Sequence, residues 1–560
     1  MTSRAPIVDG ILRSEFPHVP VQTETFSKTF LSTIWRHFIK DPHRPAMING
    51  HDEMDYVTFG ELYMYSYAMS AFLERTGFAL RDVACIVTPN CWQYMVAFGS
   101  VIMRGGALSG ASNAFTSFEL QNQFDDCKCT IVFTSECCLD RVLEATKSNV
   151  NIKTIVLIDS SHGQTNTSTS DDRIVLFTDI LRNEPSLNCA SSIMSDENFC
   201  ADKHVIILPY SSGTTGRPKG VMISHKNLGS VLNMYSWQFN NKILPFVDDH
   251  YDYSKEIQLD LLPFYHIFGF VVVVNHLMNG STVVVMRGFE PKLLCHNLET
   301  YKSRFLMVVP PIMIFLAKSP LVSRYNLSYL QLIISGAAPA GRELCEELQR
   351  YGMTELSICS HIPVLDGKNR YDRAGKLMPN MELKIIDTET GKIITDQRKP
   401  GELYLRGPNV MMGYLDRPDA NAETLDSDGW LRTGDIAFVD AEGFICIVDR
   451  LKELIKVRGF QVAPAELEDV ILSMTEVRDC AVIGVPDKQA GELPAAFVVR
   501  AQAFPDLSAE DVFNYVKDRA AHYKQLKGGV YFVDEIPKSP SGKILRRVLR
   551  QSYLYDQKRI

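Results

Sequence analysis

From Val57 to Thr76 the apolar side chains recur as Phe59, Leu62, Tyr65, Met69 and Phe72, a spacing that predicts a helix with one buried face. The unbroken apolar run Val83 to Val87 then predicts a buried strand, stopped by Pro89-Asn90. The alternation repeats. A second helix closes at Met103-Arg104-Gly105-Gly106, and Ala107-Leu108-Ser109 opens the next element. Cys129 to Thr134, Thr154 to Asp159 and Val205 to Leu208 read as further short strands, and Ser160 to Asp172, rich in Ser, Thr, Asn and Gly, as a solvated loop. Strands separated by helices predict an α/β fold with parallel pairing.

Farther along, Phe305 to Pro311 and Leu330 to Pro339 read as strand-to-loop passages, with a helix predicted over Gly341 to Arg350. The turn-rich stretch from Gly401 to Asp435 predicts short β elements. Leu467 to Met474 is helical in spacing and Cys480 to Val485 strand-like, which gives a compact α+β module at the end of the chain.

With 560 residues the chain is too long for one ordinary core, so two or more domains are expected. Its composition, 46% hydrophobic and 22% charged, is that of a soluble globular protein. A net charge of −8 argues against a general nucleic-acid partner and makes any phosphate chemistry depend on a local basic site. The thirteen cysteines are expected to be reduced thiols, because Cys127-Lys128-Cys129 and Cys137-Cys138 lack the paired C-x-x-C spacing of a zinc site. Met1 to Pro20 has no apolar signal-peptide core. The longest apolar segment, Phe268 to Met286, is interrupted by Asn275, His276 and Asn279-Gly280, so no transmembrane segment is expected. The final Lys558-Arg559-Ile560 is a poor peroxisomal signal, and a cytoplasmic location is the default.

The chemistry concentrates in Tyr210 to Val221, Y-S-S-G-T-T-G-R-P-K-G-V, directly after the apolar run that ends at Leu208. Gly213, Gly216 and Gly220 allow close backbone approach, Ser211, Ser212, Thr214 and Thr215 supply hydroxyls, and Arg217 and Lys219 supply positive charge. Such a loop suits a triphosphate or pyrophosphate. It follows neither the Walker pattern nor G-x-G-x-x-G. A Ser/Gly linker is the competing reading, and the embedded Arg-Pro-Lys after an apolar strand disfavours it. The helix predicted from Lys226 onward would add its dipole near the phosphates.

This string resembles the phosphate loop of the adenylate-forming superfamily, which includes acyl-CoA synthetases, plant coumarate-CoA ligases, firefly-type luciferases and the adenylation domains of peptide synthetases. Four further segments are similar to family motifs and occur in family order. In Leu261-Leu262-Pro263-Phe264-Tyr265-His266-Ile267-Phe268-Gly269 a histidine between aromatics would by itself read as packed core, but the resemblance implies that His266 lies beside the carboxylate being activated. Gly336, Ala337 and Ala338 are similar to the floor of the adenine site. Tyr351-Gly352-Met353-Thr354-Glu355 could be ordinary helix capping. The resemblance implies instead that Tyr351 stacks on adenine, Thr354 meets the α-phosphate and Glu355 binds Mg²⁺, a cation that prefers carboxylate and phosphate oxygens. Asp435 matches the ribose-binding aspartate.

Asp449-Arg450-Leu451-Lys452 resembles the family hinge, with Arg450 in the ATP site and Lys452 at the pivot. The expected architecture is a large N-terminal adenylation domain, residues 1–449, of α/β subdomains plus a β-rich subdomain, followed by a small mobile α+β C-terminal domain, 450–560. The family implies two conformations of that small domain. One brings Lys543, on the loop Pro537 to Lys543, into the adenylation site; the other presents Lys456, Gly459 and Gln461 for thioester formation.

A carboxylate acylates poorly because oxide would have to leave. Attack on the α-phosphate of ATP substitutes AMP as leaving group, and the charge that builds in that step calls for Lys219, Lys543 and a metal held by Glu355. The implied activity is ATP-dependent activation of a carboxylic acid and its transfer to coenzyme A, with ATP, Mg²⁺ and coenzyme A required. Ile312, Met313, Phe315 and Tyr265 point to a fatty or aryl acid, although the same side chains would serve equally as core. Loading of a carrier protein or luciferase-like oxygenation are alternatives of the same chemistry.

One feature opposes the resemblance. Only 351 − 335 = 16 positions separate Ser335 from Tyr351, and a helix over Gly341 to Arg350 would leave no residues to return to the nucleotide site. The family supplies a turn and a strand there. A catalytically impaired nucleotide- or acyl-binding protein, or a gene product lacking a segment, is therefore the second expectation.

Overall fold

The computed structural model describes residues 7–158, 171–183, 199–211, 218–248, 250–336, 348–349, 351–365, 373–396, 398–450, 453–457, 460–487, 490–520, 522–538 and 544–557. The fold is α/β, with a large N-terminal part of two mainly parallel sheets and an antiparallel sheet, and a smaller α+β C-terminal part. The first helix predicted from spacing runs Phe59–Arg75. Val57 belongs instead to the strand Asp52–Thr58, and Thr58 starts the helix with a capping box closed by Glu61.

The apolar runs at Val83–Val87, Ala107–Ala111, Ile131–Ser135, Thr154–Ile158 and Val205–Ile207 are parallel strands of one nine-stranded sheet. Its edge turns antiparallel where Lys219–Ser224 pairs with Val205–Ile207, and both Tyr210–Ser211 and Gly413–Tyr414 pair with Lys219–Ser224. A second sheet, of seven strands, places Leu348–Gln349, Leu332–Ser335, Phe305–Val308, Ile257–Asp260, Thr282–Val285 and Pro45–Asn49 side by side in parallel, with Asp52–Thr58 antiparallel at the end. The apolar segment Phe268 to Met286 is not one span. Its helix Ile267–Asn279 stops at Gly280, whose φ of 87° suits a residue without a Cβ, and the chain returns as the strand Thr282–Val285. Among the described residues no helix is long and apolar enough to cross a membrane.

The β-rich stretch forms a six-stranded antiparallel sheet ending in Leu431–Val439 and Ile445–Arg450, and the next sheet, of five strands, begins at Ile455–Val457. No sheet among the described residues mixes strands from before and after Arg450.

The helix expected over Gly341 to Arg350 needs correction. Residues 337–347 and 350 lie outside the described residues, but Leu348–Gln349 is a strand, paired in parallel with Ile334 and Ser335. The register Ser335↔Gln349 sets Tyr351 two residues, about 7 Å of extended chain, beyond the level of Ser335. The twelve residues 336–347 meet the minimum of about a dozen for a parallel crossover. Tyr351 therefore emerges at the same edge of the sheet as Ser335. Two residues of the returning strand, Leu348 and Gln349, are among the described residues.

Candidate active site

The segments singled out in the sequence leave the carboxyl ends of parallel strands, the place where open α/β sheets bind ligands. Ile257–Asp260 leads to His266, Leu332–Ser335 to Gly336 and Leu348–Gln349 to Tyr351, while Val205–Ile207 leads to Tyr210. The predicted phosphate loop begins and ends on paired strands, with Tyr210 opposite Gly220 and Ser211 opposite Lys219. Ser212, Gly213, Thr214, Thr215, Gly216 and Arg217 lie outside the described residues. Tyr210 is anchored by its phenol, which donates to Asp126 at 2.7 Å, and Asp126 also accepts from Arg417.

Lys219 and Glu355 meet the same tyrosine. The ammonium of Lys219 stands 4.9 Å from the ring centroid of Tyr414, and the Tyr414 phenol donates to Oε1 of Glu355 at 2.8 Å. The backbone fixes this geometry: Tyr414 pairs with Val221 two residues after Lys219, and the Met411 N–H donates to the Glu355 carbonyl at 2.9 Å. Burial, then the Glu355 charge, raises the pKa of the Tyr414 phenol far above its ordinary value, so the ring remains a neutral donor. Sequence reasoning missed Tyr414. It lies 59 positions from Glu355 in a turn-rich stretch, and only the sheet brings the two together.

Glu355 and Thr354 sit on a single 3-10 turn, Thr354–Leu356, rather than on a capped α-helix. Gly352 is required there because a Cβ would fall 1.8 Å from the carbonyl oxygen of Ile358. Asn409, also missed, clamps this turn by donating to the carbonyls of Leu356 and Cys359 at 2.9 and 3.0 Å, while Ser357 donates to the Asn409 carbonyl at 2.8 Å.

Tyr351 is buried and donates to Oδ2 of Asp435 at 2.5 Å, joining the predicted adenine and ribose residues directly. Its ring meets the edge of His361 at 5.9 Å. Burial lowers the His361 pKa to about 3 and keeps it neutral. Asp435 is held by its own N–H, which donates to Thr433 Oγ1 at 3.1 Å, and lies opposite Arg450 on the neighbouring strand. Gly336 closes the adjoining strand end, its N–H donating to the Val308 carbonyl at 3.2 Å; Ala337 and Ala338 lie outside the described residues.

His266 is the N-cap of the helix Ile267–Asn279, its Nδ1 accepting from the Phe268 N–H at 3.2 Å, so the neutral ring carries its proton on Nε2. The preceding turn is pinned by Asn90, which donates to the Leu262 carbonyl and accepts from the Phe264 N–H, both at 2.8 Å. Asn90 was legible in the sequence only as a strand stop.

Around this geometry the comparisons with known proteins agree. A family model described as AMP-binding enzyme matches residues 34–415, and the AMP-binding enzyme C-terminal domain matches 466–543. The chain belongs to the AMP-binding enzyme family. Within this adenylate-forming superfamily it falls in the acyl-CoA synthetase and coumarate-CoA ligase branch. It is 34% identical over 565 residues to 4-coumarate:CoA ligase 1 of Petunia hybrida, covering 97% of this chain and 96% of that one. It is likewise 34% identical over 564 residues to 4-coumarate–CoA ligase 2 of Solanum tuberosum, covering 97% and 96%. The crystal structure of ATP-bound MatB from Rhodopseudomonas palustris superposes with a TM-score of 0.80 at 26% identity, over 93% of this chain and 99% of that one.

The small-domain residues expected from the resemblance are only partly in view. Lys456 is exposed on the strand Ile455–Val457 and pairs through its backbone with Gln461; its N–H donates to Glu492 at 3.0 Å. Lys452, Gly459 and Lys543 lie outside the described residues, as does the side chain of Gln461. The loop carrying Lys543 is closed at its base, where Lys538 bridges Ile544 and the Leu545 N–H donates to the Pro537 carbonyl at 2.8 Å.

Proposed function

We propose that this protein is an ATP-dependent acid–CoA ligase that converts a fatty or aryl carboxylic acid to its acyl adenylate and then to its thioester. The observation that carries the reading is the meeting of Lys219 and Glu355 on Tyr414, with Glu355 four residues after Tyr351, which donates to Asp435. Tyr351, with Gly336, Ala337 and Ala338, takes the adenine, Asp435 with Arg450 the ribose, and Lys219 with Ser211 to Gly216 and Thr354 the phosphates. His266, oriented by its capping bond, presents Nε2–H to the acid carboxylate.

Glu355 fits Mg²⁺. It is buried, Tyr414 binds only one of its oxygens, and one carboxylate with phosphate oxygens is the donor set that cation prefers. Bound there, Mg²⁺ would neutralise charge on the phosphate chain. Lys543 stabilises the adenylation transition state from the small domain, residues 450–560, which turns about Lys452 relative to residues 1–449. Lys456, Gly459 and Gln461 then serve attack by the coenzyme A thiol. The cytoplasm is the proposed location.

Release of pyrophosphate with a panel of carboxylic acids, followed by detection of thioester on adding coenzyme A, tests the reading. A second reading, an impaired enzyme or a product missing a segment before Tyr351, is favoured by the short passage of 16 positions from Ser335 to Tyr351. Insertion of a turn and strand after Arg350 separates the two: a large gain in turnover supports the second, and robust turnover without insertion removes it.

A further inference from the structure

Cys127 and Cys129 lack zinc spacing in sequence, but the fold adds a third thiol from 42 positions away. Cys85 stands mid-strand in Val83–Val87, between Ser109 and Val132 of the neighbouring strands. Cys127 is the last residue of the helix Ser117–Cys127. Lys128 follows in the left-handed conformation, φ 53°, and turns Cys129 back so that its N–H donates to the Phe124 carbonyl. The three sulfurs lie within 4.8 Å of one another, Cys85 and Cys127 at 3.5 Å, with residue exposures of 0, 3 and 0%. Around them pack Leu120, Phe124, Val132 and Leu208.

Three sulfurs bonded to a common atom at about 2.3 Å stand roughly 3.5 to 4 Å apart, close to the spacing found. Charge decides which atom fits. A zinc site needs a fourth ligand, and none joins the cluster among the described residues. A monovalent soft metal on three thiolates would leave two net negative charges in an apolar core, with Asp125 and Asp126 adding to the repulsion. A trivalent centre gives a neutral product.

We propose that Cys85, Cys127 and Cys129 form a three-thiol site for trivalent arsenic, beneath the end of the helix that anchors Tyr210 through Asp126. Arsenous acid exchanges its three hydroxides for the three sulfurs. Three As–S bonds form, three As–O and three S–H bonds break, and each proton leaves with a hydroxide as water, with no change of oxidation state.

The test uses the full reduced chain carrying Cys137→Ser and Cys138→Ser, which removes the vicinal pair, exposed Cys137 and buried Cys138, as a competing site, and arsenite as the probe. Native mass spectrometry should show one arsenic per chain with loss of three hydrogens, arsenic-edge X-ray absorption three sulfur neighbours and no oxygen, and thermal unfolding a raised midpoint. Cys85→Ala in the same background should abolish the three-sulfur adduct. Absence of retained arsenic, an oxygen neighbour, a lowered midpoint or an adduct that survives Cys85→Ala would overturn the site. The absorption and unfolding measurements on the parent decide the matter even where that variant folds poorly.

Discussion

The Tyr414 phenol donates to Glu355 Oε1 at 2.8 Å, both side chains being buried and 59 positions apart in the chain. Hydrogen bonds to charged groups contribute about 1.5 to 3 kcal/mol, so Tyr414→Phe should lower the rate of pyrophosphate exchange by about ten- to a hundredfold. Glu355→Gln removes the charge but keeps the shape, and its activity should recover in part at high Mg²⁺. Titration of exchange rate against Mg²⁺ checks both; a Glu355→Gln curve unchanged by Mg²⁺ would discard the metal role.

Asp435 accepts from Tyr351, so its carboxylate is held in place before any ribose arrives. Asp435→Ala should raise KM for ATP far more than Tyr351→Phe does, because the phenylalanine keeps the ring and loses only one partner of the aspartate. Steady-state kinetics in ATP distinguishes them, and equal effects would remove Asp435 from direct contact with the nucleotide.

Lys543→Ala should abolish adenylate formation while leaving thioester formation from supplied acyl adenylate largely intact, and Lys456→Ala should show the opposite bias. Each half-reaction can be assayed alone. Equal losses in both would show that neither lysine belongs to one conformation.

Two buried histidines, His225 and His361, have pKa values lowered from 6.5 to about 3, in both cases chiefly by burial. The unfolded chain therefore binds more protons than the folded one between those limits. Stability from this source is complete above pH 6.5 and is lost as pH falls towards 3, reaching about 2 kcal/mol per histidine near pH 5. Denaturant midpoints at pH 5 and 7.5 should differ less in His361→Gln than in the parent; an unchanged difference would place the pH sensitivity elsewhere.

Much of the α/β frame was legible because parallel strands buried on both faces leave unbroken apolar runs such as Val83 to Val87 and Val205 to Leu208. The candidate phosphate loop stood out by composition, and the structure describes its two ends, where Ser211 pairs with Lys219. Tyr414 and Asn409 were not, since their roles rest on pairing between Gly413–Tyr414 and Lys219–Ser224 and on a turn more than 50 positions upstream, which no local period encodes. Cys85 was hidden for the same reason. The helix read through Leu348 and Gln349 failed because periodicity cannot tell a helix end from a strand when a parallel neighbour supplies the hydrogen bonds.

The most direct test is to incubate the purified full chain with ATP, Mg²⁺, coenzyme A and a panel of fatty and aryl carboxylic acids, measuring AMP, pyrophosphate and acyl-CoA together. The account predicts the three products in equal amounts with at least one acid, and acyl adenylate with pyrophosphate when coenzyme A is withheld. ATP bound without pyrophosphate release for any acid would contradict it.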